Sequence, residues 1–347
     1  MHVLIICKVI DNFGDAGVCL RLARAIAKQA HSVTLIHDNP MAFEKLLECE
    51  PPAHLKLLNA LDEGYSIESL PTPDLIVEPF GTSAEHVTHR HELPLKTHFP
   101  DCPWVLLDYL SAETWVENFH KSQSIDPRTG HRVTYFYPGF GNHTAGLIHC
   151  DAPPMEPLQS VDNRGNLKLF VFCYSNAPLD ALMAATIESG DQIGFASAGD
   201  RMIELPDHWQ ALPFCPQIEF DKRLVEHDVL FVRGEDSFVR AQLAGKPMIW
   251  QIYPTDDGAH AAKLKAFFDI YSANWAKPEQ EAMWRFWQLW NRLDDTQDFV
   301  STWLEVRSNW PTLLQHAMRW RRQLMQGPEL VKELLTWRDQ QTPTFDK

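Results

Sequence analysis

Asp11 and Asp15 lie four positions apart in Ile10-Asp11-Asn12-Phe13-Gly14-Asp15-Ala16-Gly17-Val18. Gly14 and Gly17 flank the second acid, and glycine lets backbone come close to a ligand. The stretch is neither GxGxxG nor a P-loop, and carboxylates repel phosphate, so a dinucleotide or NTP phosphate fits poorly. Paired acids suit a cation, or a poor nucleophile that must lose a proton. They equally suit helix caps, and the spacing leaves both roles open. A second group is Val232-Arg233-Gly234-Glu235-Asp236-Ser237-Phe238. Arg233 can meet a phosphate bidentately, and free N–H groups of a helix starting there would add partial positive charge. Glu235 fits a hydroxyl-rich group or a catalytic carboxylate. Against this, Asp236 or Ser237 can be an N-cap and Arg233 half of an ion pair. Phe172 and Tyr174, two residues apart, share one face of an expected strand. Phe214, between Pro213 and Pro216, sits in a stiff loop able to offer a ring to a planar base, with Gln217 following. Core packing is the more frequent explanation for either aromatic stretch taken singly. His260, after Tyr253-Pro254, starts a helix; it is placed to touch a ligand, but a capping or core role is the commoner one.

Both charged groups need the same support: an apolar strand leading in and a helix leading out, which is where open α/β sheets place ligands. Val3–Ile10 reads as a strand and Val18–Gln29 as a helix. Ser32–His37, Leu75–Phe80 and Trp104–Tyr109 read as further strands, and Ala42–Leu47 as a short helix. Continuous apolar runs fit a parallel sheet covered on both faces. The loops Tyr109–Trp115 and Phe136–Gly141 carry aromatic and acidic residues with no assignable ligand. Residues from Cys150 to Asn166 are rich in proline, turn formers and charge, as a linker is. The pattern then restarts with strands at Leu167–Tyr174, Gln192–Ala198, Val229–Val232 and Met248–Ile252. Helices are expected at Leu179–Ser189 and Val239–Ala244. Met283, Trp287 and Trp290 form one helical stripe of core type. Gly327-Pro328 divides two helical patterns, and the last helix, Glu329–Arg338, is expected to return to the first domain.

The 347 residues allow two cores. A net charge of -15 excludes nucleic acid and anionic membrane as default partners. Met1-His2 runs into a strand with no basic leader, and no apolar run is long enough to span a bilayer, so the expectation is a cytoplasmic protein. The 7 cysteines form no CxxC and read as reduced thiols. No HExxH is present, and no metal is assigned.

Taken together, these stretches resemble the protein-arginine rhamnosyltransferases of elongation factor P, the EarP family. The resemblance rests on Val9–Cys19, Tyr109-Leu110-Ser111-Ala112-Glu113, Tyr137-Pro138-Gly139-Phe140, Phe172-Cys173-Tyr174 and Arg233–Arg240. Phe13 stands where the family more often has Tyr, and Ala16 where Ile is common. The resemblance implies an α/β fold of GT-B glycosyltransferase architecture, two Rossmann-like domains facing a cleft. It implies an acceptor-binding domain at 1–155, joined by a C-terminal helix at 328–347, and a nucleotide-sugar domain at 156–327. It implies dTDP-β-L-rhamnose as donor, an arginine of elongation factor P as acceptor, inversion at the anomeric carbon, and no metal or other cofactor. The catalytic candidates are then Asp15 as proton acceptor, Asp11 as its orienting partner and Glu235 beside the sugar. Substrate-binding candidates are Asn12, Phe13, Gly14 and Asp15, then Phe172, Tyr174, Phe214, Gln217 and Tyr253. Arg233, Gly234, Glu235, Asp236 and Ser237 complete that set. Two alternatives stand beside this expectation: a GT-B nucleotide-sugar transferase acting on a small molecule or glycan, and a nucleotide-sugar sensor without turnover.

Overall fold

The computed structural model describes residues 1–10, 13–47, 51–62, 64, 66–81, 92–127, 129–154, 165–197, 199, 201–256 and 258–341. The chain divides into two compact units, one of residues 1–151 and 327–347, the other of 152–326. The resemblance implied a boundary at 155/156, which falls outside the described residues.

In the first unit, β1 (His2–Cys7), β2 (Ser32–His37), β3 (Leu55–Asn59), β4 (Leu75–Pro79), β5 (Trp104–Leu107), β6 (Gln123–Ile125) and β7 (Arg132–Phe136) make one sheet. Its order is β3-β2-β1-β4-β5-β7-β6, parallel except for β6 against β7. The continuous apolar run of β1 has a direct cause. Val3, Ile5 and Cys7 enter one core with α1 (Phe13–Ala27) and α2 (Pro40–Leu46), while Leu4 and Ile6 enter another on the opposite face. The helices α3 (Glu92–His98) and α4 (Trp115–Phe119) follow β4 and β5.

In the second unit, β8 (Lys168–Phe172), β9 (Gln192–Ser197), β10 (Trp209–Ala211), β11 (Val229–Arg233) and β12 (Met248–Gln251) form a parallel sheet of order β10-β9-β8-β11-β12. The helices are α5 (Leu179–Ser189), α6 (Gln217–Glu226), α7 (Asp236–Ala244), α8 (Ala259–Tyr271), α9 (Lys277–Trp290), α10 (Phe299–Ser308) and α11 (Trp310–Leu324). Met283, Trp287 and Trp290 on α9 are fully buried, so the stripe is core.

The last helix, α12 (Leu330–Gln340), belongs to the first unit. Leu330, Val331, Leu334, Leu335 and Trp337 pack into the core that holds α1. Its approach requires glycine at 146: a Cβ there would stand 2.0 Å from the Pro328 carbonyl oxygen. The backbone joins here too, with Leu330 N–H donating to the Leu147 carbonyl at 3.0 Å. No described helix is long and apolar enough to cross a membrane.

Candidate active site

Each sheet reverses its winding direction once. In the first the switch lies between β1 and β4, in the second between β8 and β11. Open parallel sheets bind ligands at the carboxyl ends of the strands flanking such a switch. Both expected charged groups follow strands at these two places.

In the first unit, α1 opens at Phe13, five residues before the expected start, so Phe13, Gly14 and Asp15 form its first turn. Asp11 and Asn12 lie outside the described residues. Asp15 is 4% exposed, and its Oδ2 accepts the Ile10 N–H at 2.8 Å. The Val9 N–H donates to Asp38 Oδ1 at 3.0 Å, so two carboxylates hold the turn. Beneath it, the Cys7 Sγ–H donates to the Asp15 carbonyl at 3.9 Å. Burial, then the neighbouring Cys19 thiol, push the Cys7 thiol well above its usual value, so it stays a neutral packing group. Lys45 Nζ stands 5.9 Å from the Phe13 ring centre.

In the second unit, the Arg233 guanidinium carbon stands 4.4 Å from the Phe172 ring centre and 4.7 Å from that of Tyr174. Its Nη1–H donates to the Cys173 carbonyl at 3.0 Å. A guanidinium has five N–H donors, so this fixation leaves others for an oxyanion. Gly234 makes the turn possible with a φ of +62°. Ser237 Oγ–H donates to the Arg233 carbonyl and accepts the Arg233 N–H, closing the turn into α7. Glu235 occupies the N-cap position of α7 and Asp236 its first turn, both half-buried. The Trp250 Nε1–H donates to the Gly234 carbonyl at 2.8 Å, while its ring stacks on Phe238 with centres 3.9 Å apart.

The expected strand through Tyr174 ends at Phe172, which pairs with Ser197 after a slip in the β8–β9 register between Val171 and Phe172. Tyr174 therefore sits in the following loop. Its N–H donates to Gln251 Oε1 at 2.7 Å, and Gln251 Nε2–H donates to Asn176 Oδ1 at 2.9 Å. Gln251 is 2% exposed and was not among the expected residues. Its one signal is a polar residue ending the apolar strand Met248-Ile249-Trp250-Gln251. Tyr253 meets the Tyr174 ring edge-on at 5.5 Å and is exposed. Phe214 is exposed, whereas Gln217 is buried at the first position of α6. His260 Nδ1 accepts the Thr255 N–H at 3.1 Å, a local cap of the turn before α8. Burial raises the Cys173 thiol to about 12, although Arg233 and Arg201 pull the other way. Among the described residues no cluster of three His, Cys, Asp or Glu side chains could hold a metal ion.

Residues 3–339 match the family model for Elongation-Factor P (EF-P) rhamnosyltransferase EarP. A protein-arginine rhamnosyltransferase of Pseudomonas putida is 31% identical, with 95% of this chain and 97% of that protein covered. Among solved structures, one concerns EarP-mediated arginine glycosylation of translation elongation factor EF-P. It matches with a TM-score of 0.59 at 24% identity, covering 98% of this chain and 99% of that one. The spinosyn rhamnosyltransferase SpnG matches with a TM-score of 0.58 at 14% identity, covering 98% of this chain and 100% of that one. The fold is therefore the GT-B glycosyltransferase architecture. The chain belongs to the EarP family of EF-P rhamnosyltransferases.

Proposed function

We propose that this chain is a cytoplasmic, metal-independent, inverting transferase. It moves L-rhamnose from dTDP-β-L-rhamnose to an arginine side chain of EF-P. Beside family membership, the observation that carries this reading is the Arg233 cation held between Phe172 and Tyr174 at the switch point of the second sheet. A fixed guanidinium there suits the diphosphate of a nucleotide sugar.

In this reading the second unit binds the donor. Arg233 and the N–H groups opening α7 stabilise the departing diphosphate. Tyr174, Tyr253 and Gln217 shape the pocket, Phe214 stacks on thymine, and Glu235 faces the oxocarbenium-like sugar. The first unit binds the acceptor. Its guanidinium is protonated, with a pKa above about 12, and so is a poor nucleophile. One guanidinium nitrogen attacks the anomeric carbon as the bond from that carbon to the phosphate oxygen breaks. The electron pair leaves with dTDP. The attacking nitrogen gives one proton to Asp15, and the product remains a guanidinium. A single displacement converts the β-linked donor to an α-linked product. Asp11 holds the guanidinium fork.

The test measures dTDP release with EF-P, with EF-P whose acceptor arginine is replaced by lysine, and with small-molecule or glycan acceptors, each with and without EDTA. The reading expects release with arginine-bearing EF-P only, and the same rate in EDTA. Release with glycan alone would contradict it in favour of a different acceptor, and loss in EDTA would contradict the metal-free step.

A further inference from the structure

β8 and β12 are not neighbours: β11, which ends at Arg233, lies between them. A single side chain nevertheless joins their carboxyl ends. β8 stops at Phe172, so the Tyr174 N–H lies beyond the strand ladder, and a half-buried backbone donor needs an acceptor. Gln251 Oε1 supplies it, in the place a strand carbonyl would take. The other end of the same amide, Nε2–H, donates to Asn176 Oδ1. Holding both at once takes an acceptor and a donor on one buried head group. Glutamine has them, and an apolar side chain of the same length does not. Gln251 is also the register partner of Arg233 on β11, so these bonds pass the strand end that carries the guanidinium.

Gln251 is fixed from its other side. β12 is an edge strand, and Asn291, following α9, takes the part of a missing neighbour. Its Nδ2–H donates to the Trp250 carbonyl at 2.8 Å, and its Oδ1 accepts the Ile252 N–H at 3.0 Å. These are the two groups that a parallel partner strand would bond around residue 251. The next residue, Arg292, has a φ of +55°, and its Nε–H donates to the Asn176 carbonyl. A long side chain in the left-handed region persists only where surrounding structure enforces it. The loop after β8 is thus tied at Tyr174 and twice at Asn176.

What these ties hold is Arg233. Three consecutive residues meet its guanidinium: the Phe172 ring, the Cys173 carbonyl and the Tyr174 ring. The first two are supported from the sheet. Phe172 pairs with Ser197, and its ring meets Phe220 edge-on at 5.6 Å. The Cys173 N–H donates to the Ser197 carbonyl at 2.9 Å. Tyr174 has left the sheet, and Gln251 holds its N–H.

We propose that Gln251 is a positioning residue for the donor. By fixing Tyr174 and Asn176 it keeps the Tyr174 ring against Arg233, and so aims the guanidinium at the diphosphate. This rests on the reading that Arg233 takes the diphosphate of a nucleotide sugar. Gln251 is buried and both ends of its amide are engaged, so it acts through Tyr174 and Arg233 and not on the ligand.

The experiment titrates dTDP into the full chain by calorimetry, in the parent and in the Arg233→Lys background. Gln251→Met keeps the length and removes both bonds. Asn176→Ala removes one of them at an exposed position, where folding is not at risk. The proposal expects dTDP affinity to fall at least about fivefold in Gln251→Met and about threefold in Asn176→Ala, the range for residues coupled through a shared network. In the Arg233→Lys background each substitution should change affinity by less than about twofold, because the planar cation it orients is gone. A lower melting temperature with unchanged dTDP affinity would mark a merely structural role and overturn the proposal. Equal losses in both backgrounds would overturn it too, and Asn176→Ala decides if Gln251→Met does not fold. Unchanged affinity in Arg233→Lys alone would sink the diphosphate reading and this proposal with it. A dTDP series that behaves as expected beside unmodified EF-P would count against the proposed reaction alone.

Discussion

Asp15 does two things at once. Its Oδ2 takes the Ile10 N–H, and the proposed reaction asks the same carboxylate to take a proton. Asp15→Asn separates the two, because an amide oxygen still accepts the Ile10 N–H but cannot act as a base. Transfer should fall by at least about 100-fold, the usual worth of a general base. Donor affinity by calorimetry should hold; near-parental turnover would remove Asp15 from proton transfer. Arg233 supports a second prediction. Its planar cation lies over both Phe172 and Tyr174, which a lysine ammonium on a flexible stem cannot reproduce. Arg233→Lys should weaken dTDP-rhamnose binding about tenfold in a titration, in line with loss of stacking and bidentate recognition. Unchanged affinity would remove Arg233 from the diphosphate. At this scale the sequence made the charged residues legible, because an acid or an arginine among apolar strand ends stands out. Gln251 did not stand out. Its role comes from a buried amide that joins the end of one strand to the loop after another, which has no local sequence pattern.

Elements were legible where hydrophobic burial is two-sided or the amphipathic period is unbroken. Leu179–Ser189 and Ser32–His37 were read to the residue. The first helix was read too late because Gly14 and Gly17 look like turn residues, yet the pinned Asp15 draws Phe13 and Gly14 into its opening turn. β6 and β7 escaped notice for another reason: Gln123–Ile125 is wholly exposed at a sheet edge, and Arg132–Phe136 mixes charge, hydroxyl and aromatic groups. The C-terminal helix was legible from Gly327-Pro328, and its attachment is specific. Glu329 Oε2 accepts the Lys332 N–H at 2.8 Å to cap it, and Arg338 in its last turn bonds Asp74. Trp337 meets Phe136 edge-on at 5.5 Å and is buried. Trp337→Ala should therefore destabilise the first unit by about 3–5 kcal/mol, the usual cost of deleting a buried Trp. Urea unfolding measures this, and a change under about 1 kcal/mol would mean that α12 is peripheral to that core.

For the whole molecule, charge and burial set the response to acid. His37, His120, His131 and His227 are all held below the usual histidine pKa, chiefly by burial, with His120 lowered to about 4. His120 Nδ1 accepts the Tyr137 N–H, and Nε2 is buried with no partner among the described residues, so the neutral ring fits and the cation does not. The unfolded chain binds these protons near pH 6.5, before the folded chain does. Their contribution is fully present above about 6.5 and is lost as pH falls below it, for His120 down to about 4. The melting temperature should drop across that window, and His120→Gln should flatten part of the drop. A melting temperature independent of pH there would contradict the buried-histidine account.

The most direct measurement of the central claim is the intact mass of EF-P after incubation with this chain and dTDP-rhamnose, followed by peptide mapping. The account predicts one deoxyhexose on one arginine with the parent chain, and, in the same time at subsaturating donor, at least about 100-fold less with Asp15→Asn and about tenfold less with Arg233→Lys. Unmodified EF-P with the parent chain, or sugar found on a residue other than arginine, would contradict it.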